Sequence, residues 1–596
     1  MTESNAPFDG LLIRSPNIDY FRDGDDFYVY HNLFGYILKM SEDLVEFIEY
    51  FKEPRAALET MEALEGRFSD DMIGEFANVL ALQSCLLDPE RKEESRMLLM
   101  IPMRARWLVV HEPAEGPVTL YSLDHATKSH IRVVELSAWD SQLWRWIDGE
   151  TKVEDLVEKM RGVEGSPTSG VEDLVLVSLS RLIHCDMQAL KLSTKPASTF
   201  KHRRHGTPPY LISSMPYEKI TASIRGAATP SVSFAGMQLV PIDDELLARD
   251  GAENRFGTLF SKPHSALGGE TYGGALLNWI DAKQALPQPL RILEVGGGPG
   301  DMANAFLNKL KESRPELYAQ TTYTLFASSE LDGDWQKAKL SGHPCASFMV
   351  GDPMKLRAVL EGEFDLVLCN EFAADLDAAM VRKLSPEIEE EDEDEEGEES
   401  STNGKQKGRD TFIGEGDSVH VIFKYALPLE DSPSEFYLNI GAIRLLEQID
   451  KVLSPDGQAV LIEFGEMFHY PVRTVEDGGV SFSLHFGHLA HVAKRLKLTS
   501  EFDYLMEALG MQRDTKMLAT TRSQYKALRH FFAAQGGVLE RRAYTQEEFE
   551  GLLTQLGLGD GELQDIAYEP LEDRALGLVT HSMKVLRLSR KEAVEL

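Results

Sequence analysis

Hydrophobic and polar positions over the first two hundred residues follow the same order twice. In each half, strand-like text leads into an amphipathic helix, a turn, a second helix and a long apolar helix. The first copy is predicted at residues 18–92 and the second at 104–192. Each long helix carries a cysteine near its end, Cys85 in one and Cys185 in the other. The pattern therefore predicts two small α+β modules of one design.

This order of elements is that of a small winged helix. It resembles PqqD-like domains, which recognise leader peptides in peptide-modifying systems. The resemblance lies in element order and size over roughly residues 18–192, without a diagnostic motif. It implies that a leader peptide adds as a strand to an exposed sheet edge, where main-chain hydrogen bonds give affinity. Two packing modules that bind no ligand are the alternative interpretation.

The text after the repeats predicts a linker and then one large domain. Residues 193–215 are basic, contain prolines and show no periodicity, which is typical of a connector. Regular text resumes near Pro216, and we assign residues 216–596 to one domain. An insertion at 386–410 interrupts it, with eleven acids in the thirteen residues Glu387–Glu399. Because such text repels itself, it predicts a disordered surface insertion.

A glycine-rich turn stands between a strand-like segment, "LRILEV", and a helix-like one, "DMANAFLNKLKE". This combination predicts the first βα unit of a doubly wound α/β sheet. A Walker A loop would need a lysine here, and a dinucleotide loop would need glycine where Asp301 stands. The spacing of Glu294, Gly296, Gly298 and Gly300 matches the loop that binds S-adenosyl-L-methionine. A nucleotide-fold turn without a ligand is the alternative.

The segments that follow favour a class I methyltransferase, whose Rossmann-like sheet is doubly wound. Asp352 follows one predicted strand, and Asn370 and Glu371 end the next. Further along the chain, the sequence predicts a helix, a Pro-Asp-Gly turn and an apolar strand. In this interpretation Glu294 positions the glycine loop and contacts the methionine end of the cofactor, S-adenosyl-L-methionine. Asp352 hydrogen-bonds the adenine amine, the glycines admit the sulfonium, and Asp301 belongs to the same cofactor site.

Three segments, "LEVGGGPGDMANAFL", "VLCNEFAADLDA" and "AVLIEFGE", together resemble MidA-type methyltransferases. That family includes the mitochondrial complex I assembly methyltransferase, which modifies a protein arginine. The resemblance covers roughly residues 250–570, and in that family a strand ends in Asn-Glu and leads into an acidic segment. It implies that Asn370, Glu371 and Asp375 lie on the substrate side of the site.

Two positions depart from the family pattern. The family has an acid that holds the ribose at the end of the second strand, where this chain has Ala327. Glu330, three residues later, is the candidate substitute. The family's Asp-Tyr-Gly is replaced by Glu463, Phe464 and Gly465, which keeps the charge and loses a hydroxyl. A non-catalytic scaffold protein that kept the fold is therefore an alternative.

The acceptor of the methyl group can be argued from the acidic side chains. A guanidinium is always protonated at neutral pH, so an arginine site needs carboxylates that clamp it and aim one nitrogen at the methyl group. An arginine nitrogen of a peptide or protein is therefore the favoured acceptor. A small-molecule methyltransferase, with N-terminal copies used only for assembly, is the alternative. The candidate catalytic residues follow predicted strand ends: Asn370, Glu371, Asp375, Glu463 and Glu466.

Three histidines, His485, His488 and His491, stand three positions apart and can share one helix face. The mostly apolar text between them favours packed or capping histidines over metal ligands, so we predict no metal site. A proton-accepting role for one of them is a weaker hypothesis. His469 and Tyr470 are further candidates for the rim of the site.

Charge and composition limit the partners. The net charge is −36, and removing the eleven acids of the tract leaves −36 + 11 = −25, which argues against nucleic-acid binding and is compatible with a basic peptide. No run approaches the ~18 apolar residues of a membrane span. The polar N-terminus lacks a secretion signal and the four cysteines lack metal spacing, so we expect a cytoplasmic protein. A homodimer is compatible with these features.

Overall fold

The structure of the protein is a computed structural model. Its contacts divide the chain into two compact units: a first unit of residues 1–247, 518–540 and 546–569, and a second unit of residues 248–517, 541–545 and 570–596. The residues that the structure describes are 11–23, 26–56, 59–60, 63, 70–90, 93–105, 107–124, 129–184, 187–199, 210–211, 237–242, 256–384, 411–476, 479–520, 522–559, 561–573 and 583–590.

The elements of the N-terminal part are β1 Leu11–Arg14, β2 Ile18–Asp23, β3 Asp26–His31, β4 Ile37–Met40, α1 Glu42–Tyr50, β5 Arg55–Ala56, α2 Asp70–Leu82, β6 Leu86–Leu87, β7 Ile101–Ala105, β8 Val109–His111, β9 Thr119–Leu123, β10 His130–Glu135, α3 Ala138–Arg145, α4 Val153–Arg161, α5 Val171–Ile183, β11 Leu190–Ser193, β12 Tyr210–Leu211 and β13 Gln238–Pro241.

The elements from residue 256 onwards are α6 Phe256–Leu259, α7 Tyr272–Lys283, β14 Leu290–Val295, α8 Asp301–Ser313, α9 Pro315–Tyr318, β15 Thr321–Ala327, α10 Glu330–Lys339, β16 Ala346–Val350, α11 Leu356–Val359, β17 Phe364–Asn370, β18 Ala379–Leu384, β19 Thr411–Gly414, α12 Ser418–Tyr425, β20 Glu435–Leu438, α13 Ile440–Val452, β21 Leu453–Glu466, β22 Arg473–Glu476, β23 Gly479–Phe482, β24 Leu484–His485, α14 Phe486–Arg495, β25 Thr499–Tyr504, α15 Leu505–Ala508, β26 Lys516–Ala519, α16 Arg522–Ala534, α17 Gln546–Gln555, β27 Leu563–Gln564, β28 Ala567–Pro570 and β29 Met583–Ser589.

The first unit contains the same arrangement twice. A meander, β2-β3-β4 or β8-β9-β10, precedes the helices, and the strand after the helices pairs antiparallel with the strand before the meander, β6 with β1 and β11 with β7. Ser41 and Ser137 cap the equivalent helices α1 and α3, each accepting from the N–H three residues later. The first repeat begins one strand earlier than its predicted range, at Leu11, and the second begins three residues earlier than predicted, at Ile101.

The structure corrects the predicted boundary between the repeats and the large domain. We expected one domain from Pro216 to the C-terminus, but three later segments complete the second repeat's sheet. β13 pairs with β10, and β27 pairs with β8. Helix α16 packs on β9, with the ring of Phe531 5.5 Å from that of Tyr121. Local sequence pattern cannot show such pairings, because the partners lie more than a hundred residues apart.

The predicted linker at 193–215 is only partly described. Its first residue, Ser193, ends β11, and Tyr210–Leu211 forms β12, which pairs parallel with β7. Residues 200–209 and 212–215 lie outside the described residues. The described part is therefore tied to the second repeat, which the aperiodic text did not predict.

The second unit is built on the predicted doubly wound sheet. Its strand order is β16-β15-β14-β17-β21-β29-β25, and the first five strands run parallel. β29 runs antiparallel to both of its neighbours, β21 and β25. This single reversed strand near one end is the order of class I methyltransferases. The carboxyl ends of the parallel strands form one edge, which is where ligands bind in such sheets.

The predicted acidic insertion, 386–410, lies outside the described residues. The strands on either side of it are antiparallel neighbours, and Leu384 is paired directly with Thr411. The chain thus leaves and re-enters the sheet at one point, so nothing in the ladder requires a long connection. Among the helices that the structure describes, none is long and apolar enough to cross a bilayer.

Deleting Glu387–Gly408 should leave the fold nearly unchanged. Four residues would still join Leu384 to Thr411, a length that closes an antiparallel hairpin. We expect a melting temperature within about 2 °C of wild type by calorimetry. Val381→Pro is the destabilising control, because this buried residue lies in a strand that is paired on both sides. A fall as large as that of the control would show that the tract is packed.

Candidate active site

The turn after β14 has a backbone conformation that requires glycine. Gly296, Gly297, Gly298 and Gly300 have φ values of 94°, 64°, 47° and 88°, all in the left-handed region. A Cβ atom at Gly296 would lie 2.7 Å from the side chain of Phe372. The loop is therefore a bare-backbone cradle at the carboxyl end of the central strand, as the sequence predicted.

Glu294, the acid of the loop motif, lies beneath this cradle. Its side chain is buried, and its Oε2 accepts a hydrogen bond of 2.7 Å from the hydroxyl of Tyr323. A Cβ atom at Gly297 would lie 3.3 Å from Glu294 Oε1, so the carboxylate is directly below the turn. Burial, followed by the charge of Glu294, raises the pKa of Tyr323 well above its usual value. The tyrosine is thus a neutral donor that fixes the carboxylate under the loop.

Gln336 of α10 braces the loop from the other side. Its Nε2 donates to the carbonyl oxygens of Gly296 and Gly298 at 3.2 and 2.9 Å, and the residue is fully buried. Asp301 is tied to the same helix by an ion pair of 2.5 Å with Lys339, and Thr258 donates to its other oxygen. The sequence did not predict Gln336. A polar residue at a buried position of a helix is the feature that could have indicated Gln336.

The other predicted cofactor residues lie at neighbouring strand ends. Ala327 is buried at the end of β15, and Glu330 is exposed at the start of α10. Asp352 is exposed after β16, where it accepts from the N–H of Met354 and pairs with Lys355 at 3.1 Å. The hydrogen bond from the N–H of Met354 lowers the pKa of Asp352, and the contact with Lys355 lowers it further. Their roles toward ribose and adenine stay predictions.

A second group of side chains surrounds the end of β17. The hydroxyl of Tyr272 donates to Asn370 Oδ1 at 2.6 Å, and Asn370 Nδ2 donates to Glu371 Oε1 at 3.2 Å. The same carboxylate oxygen accepts from the N–H of Phe256 at 2.6 Å. Glu371 has a φ of 49°, which is uncommon for a residue with a side chain and is typical of functional sites.

Glu463 of β21 joins this group as a buried acid. It is 2% exposed and accepts from the N–H groups of Ala374 and Phe464 at 3.1 and 3.0 Å. Burial, and then the charge of Glu371, raises the pKa of Glu463 to about 8. At neutral pH the site therefore holds one extra proton on this carboxyl group.

The remaining predicted acids lie less close to the centre. Asp375 is exposed on the turn after Phe372, from where its charge also raises the pKa of Glu463. Glu466 is partly exposed and pairs with the buried amine of Lys584 at 3.1 Å. The structure thus brings Asn370, Glu371 and Glu463 together, while Glu466 is held by a lysine of β29.

Tyr272 contacts this group of side chains, which the sequence did not predict. It is fully buried at the first position of α7, behind the capping residue Thr271. Burial, then the charges of Glu371, Glu294 and Glu463 in that order, raises its pKa well above the usual value. Its hydroxyl is therefore a neutral donor, and the charges of Glu294, Glu371 and Glu463 all act on it. A single tyrosine in an apolar helical segment does not indicate, from the local sequence, that its hydroxyl reaches Asn370.

The histidines are packed and capping residues, as predicted. His485 precedes α14 and its Nδ1 accepts from the N–H of His488, while the two rings stack at 3.7 Å. Burial lowers their pKa values to about 4 and about 3, so both are neutral at pH 7. His491 bonds the carbonyl of Tyr425 at 3.0 Å, and Tyr470 packs beside the stacked pair. His469 is exposed nearby.

These features fit S-adenosyl-L-methionine. Left-handed glycines form a turn of bare backbone after the first strand of the sheet, a buried carboxylate lies below that turn, and Asp352 follows the third strand. Residues 273–485 match the family model described as "Putative S-adenosyl-L-methionine-dependent methyltransferase". Together with the strand order, this match identifies the second unit as a class I methyltransferase that uses S-adenosyl-L-methionine. No curated protein matches the chain significantly.

Several solved structures resemble the chain. A Burkholderia thailandensis protein described as a "likely methyl transferase", bound to S-adenosyl-homocysteine, is 12% identical and covers 56% of this chain and 78% of its own, with a TM-score of 0.29. A TehB-like methyltransferase of Corynebacterium glutamicum is 19% identical over 40% and 78%, with a TM-score of 0.20. An O-methyltransferase of a Brevibacillus brevis multienzyme is 9% identical over 53% and 71%, with a TM-score of 0.26.

Proposed function

We propose that the protein methylates an arginine side chain of a peptide or protein, and that its first unit holds this substrate. The observation that carries the proposal is the pair of acids at the carboxyl edge of the sheet. Glu371 is fixed by two donors to one oxygen, and Glu463 lies close enough for its pKa to rise through the charge of Glu371. Two such carboxyl groups suit a planar cation with several N–H donors.

The side chains divide the work of the reaction. When bound, S-adenosyl-L-methionine supplies an electrophilic methyl group on its sulfonium. Glu371 holds the guanidinium and aims one nitrogen, and the Tyr272–Asn370 contact holds Glu371. The cofactor would leave as a neutral thioether once its methyl group had formed the new N–C bond, and the acceptor nitrogen would give up one proton. Glu463, ionised once the cation is bound, accepts that proton as the general base.

The resemblances support the two parts of the proposal. The MidA-like segments contain Asn370, Glu371 and Glu463, which meet in the structure. The PqqD-like order of the N-terminal repeats is compatible with peptide binding at a sheet edge. Because β13, α16 and β27 complete the second repeat, removing residues 1–215 would strip the remaining segments of their partners. Tests of substrate recognition therefore need the full chain.

The pH dependence of the reaction distinguishes a cationic acceptor from a neutral one. A guanidinium favours the ionised form of Glu463, so below pH 8 its binding must release a proton. We expect kcat/KM for an arginine peptide to rise by up to about ten-fold per pH unit toward pH 8 and then to level off. Steady-state assays from pH 6 to 9, with cofactor affinity measured at each pH, test this.

Glu463→Gln is the matched variant for this experiment. It keeps the shape of the side chain and removes its titration, so the rise toward pH 8 should disappear while cofactor binding stays. A wild-type profile that is flat between pH 6 and 8, or the same slope in the variant, would contradict the role of Glu463. Methylation of small molecules with no methylation of peptides would favour the small-molecule alternative.

A further inference from the structure

We propose that the short helix α6 links the two halves of the candidate site, so that a cofactor bound at the glycine turn also fixes the carboxylate of Glu371. Thr258 is the positioning residue of this link. The inference rests on the proposed function only for the identity of the acceptor, because the link itself joins the glycine turn to Glu371 within the second unit. Cofactor and acceptor therefore bind cooperatively.

On the cofactor side, α6 is attached to the first turn of α8. Thr258 Oγ1 donates to Asp301 Oδ2 at 3.1 Å, and Asp301 Oδ1 pairs with Lys339 at 2.5 Å. Asp301 begins α8 directly after the glycine turn, and its side chain is only 12% exposed. The backbones also lie close together, since a Cβ atom on Gly257 would be 2.8 Å from the Cβ atom of Met302. The first turn of α8 therefore sets the position of α6.

On the acceptor side, the same helix holds Glu371. The N–H of Phe256 donates to Glu371 Oε1 at 2.6 Å. Asn370 Nδ2 donates to that oxygen at 3.2 Å, and Tyr272 holds Asn370 through its hydroxyl. Tyr272 in turn packs on Phe256, with ring centroids 5.2 Å apart, and its N–H donates to the carbonyl of Phe260 at 2.9 Å. Both donors to Glu371 thus depend on the placement of α6.

The conformations of α6 and Glu371 make this link responsive to a ligand. Glu371 has a φ of 49°, which persists only where the surrounding contacts hold it. α6 has four residues, too few to be stable alone, so its order comes from these contacts. A ligand that fixes the glycine turn and the first turn of α8 also orders α6. The acceptor then meets a carboxylate that loses less freedom on binding, and by linkage the effect is reciprocal.

Hydrogen exchange measures the link without any acceptor. Full-length protein is followed by mass spectrometry over residues 256–260, with and without saturating S-adenosyl-homocysteine. In the wild type, the ligand should slow exchange of the Phe256 amide by at least about ten-fold. In Thr258→Val, which keeps the shape and removes the hydroxyl, the slowing should fall below about two-fold. Thr258→Ser keeps the hydroxyl and should behave as wild type.

Thr321→Val is the matched control for the loss of a threonine hydroxyl. Thr321 Oγ1 donates to the carbonyl of Leu317 at 2.8 Å, at the amino end of β15 and away from the carboxyl edge of the sheet. This variant should show the protection of the wild type. Circular dichroism melting establishes that each variant is folded, and calorimetry establishes that it is saturated with S-adenosyl-homocysteine.

Gly257→Ala perturbs the same link by another route and keeps the test decisive if Thr258→Val fails to fold. Its added Cβ would lie 2.8 Å from that of Met302, so α6 must move away from α8. The protection of Phe256 should again be lost. Gly342→Ala is its control, because an added Cβ there meets nothing within 4 Å, and it should behave as wild type.

The same link should appear in acceptor binding, measured by fluorescence anisotropy with a labelled arginine peptide. Saturating S-adenosyl-homocysteine should tighten the peptide at least about five-fold in the wild type and less than about two-fold in Thr258→Val. Equal tightening in both proteins, equal protection of Phe256 in both, or no protection in the wild type overturns the proposal. A wild type that shows the expected protection but binds no arginine peptide supports the link and contradicts the proposed acceptor instead.

Discussion

Gly298→Arg should abolish the binding of S-adenosyl-L-methionine. The residue has a φ of 47° in a run of left-handed glycines, and Gln336 bonds its carbonyl. A long cationic side chain here would fill the cradle and disturb the turn, because L residues rarely adopt this conformation. We expect a loss of affinity of at least about 100-fold, measured by calorimetry, with the fold retained.

Gly510→Arg is the control for backbone strain. Gly510 also lies in the second unit and has a φ of 61°, but an added Cβ would meet nothing within 4 Å. The control should lose a similar small amount of stability and bind the cofactor as wild type does. Equal affinity in the Gly298 variant and wild type would show that the glycine loop is not the cofactor site. A wild type that fails to bind even at millimolar cofactor would favour the scaffold alternative.

Glu371→Gln should lower turnover by about 10² to 10³-fold while cofactor affinity stays unchanged. The glutamine retains an oxygen that can accept from Phe256 and Asn370, so the local structure should hold. What is lost is the charge that positions a cationic acceptor. Initial rates on an arginine peptide, together with calorimetric cofactor binding, give both quantities.

Glu507→Gln is the matched charge-removal control, since Glu507 is an exposed acid that pairs with Arg513 on the surface of the same unit. It should keep wild-type turnover. If Glu371→Gln retains half of the wild-type rate, the carboxylate does not position the acceptor and the proposed chemistry is wrong. If both variants lose activity equally, the effect comes from overall charge.

The local sequence predicted those parts of the candidate site that lie at or beside the end of a strand. The glycine turn, Glu294 and the Asn370–Glu371 pair follow runs of buried apolar residues, and the parallel sheet brings these ends to one edge. The capping role of His485 was also predictable, because it stands just before a helix. In these cases neighbouring residues in the chain determine the geometry.

Other features depend on contacts between distant segments. Tyr272 reaches Asn370 across 98 residues, and Gln336 reaches the loop across 40 residues. The pairing of β27 with β8 joins positions more than four hundred residues apart. The raised pKa of Glu463 needs both its burial and the nearness of Glu371. Neither strand period nor motif spacing contains this information, so the predicted domain boundary at Pro216 was wrong.

The most direct test of the account is to locate the transferred methyl group. Full-length protein is incubated with cofactor bearing a deuterated methyl group and with peptides that differ only in one residue, arginine or lysine, and products are fragmented by mass spectrometry. We expect the label on a side-chain nitrogen of arginine, and its loss in Glu371→Gln. Label on lysine, on a carboxyl group or on small molecules alone would contradict the proposal that the paired carboxyl groups receive a guanidinium.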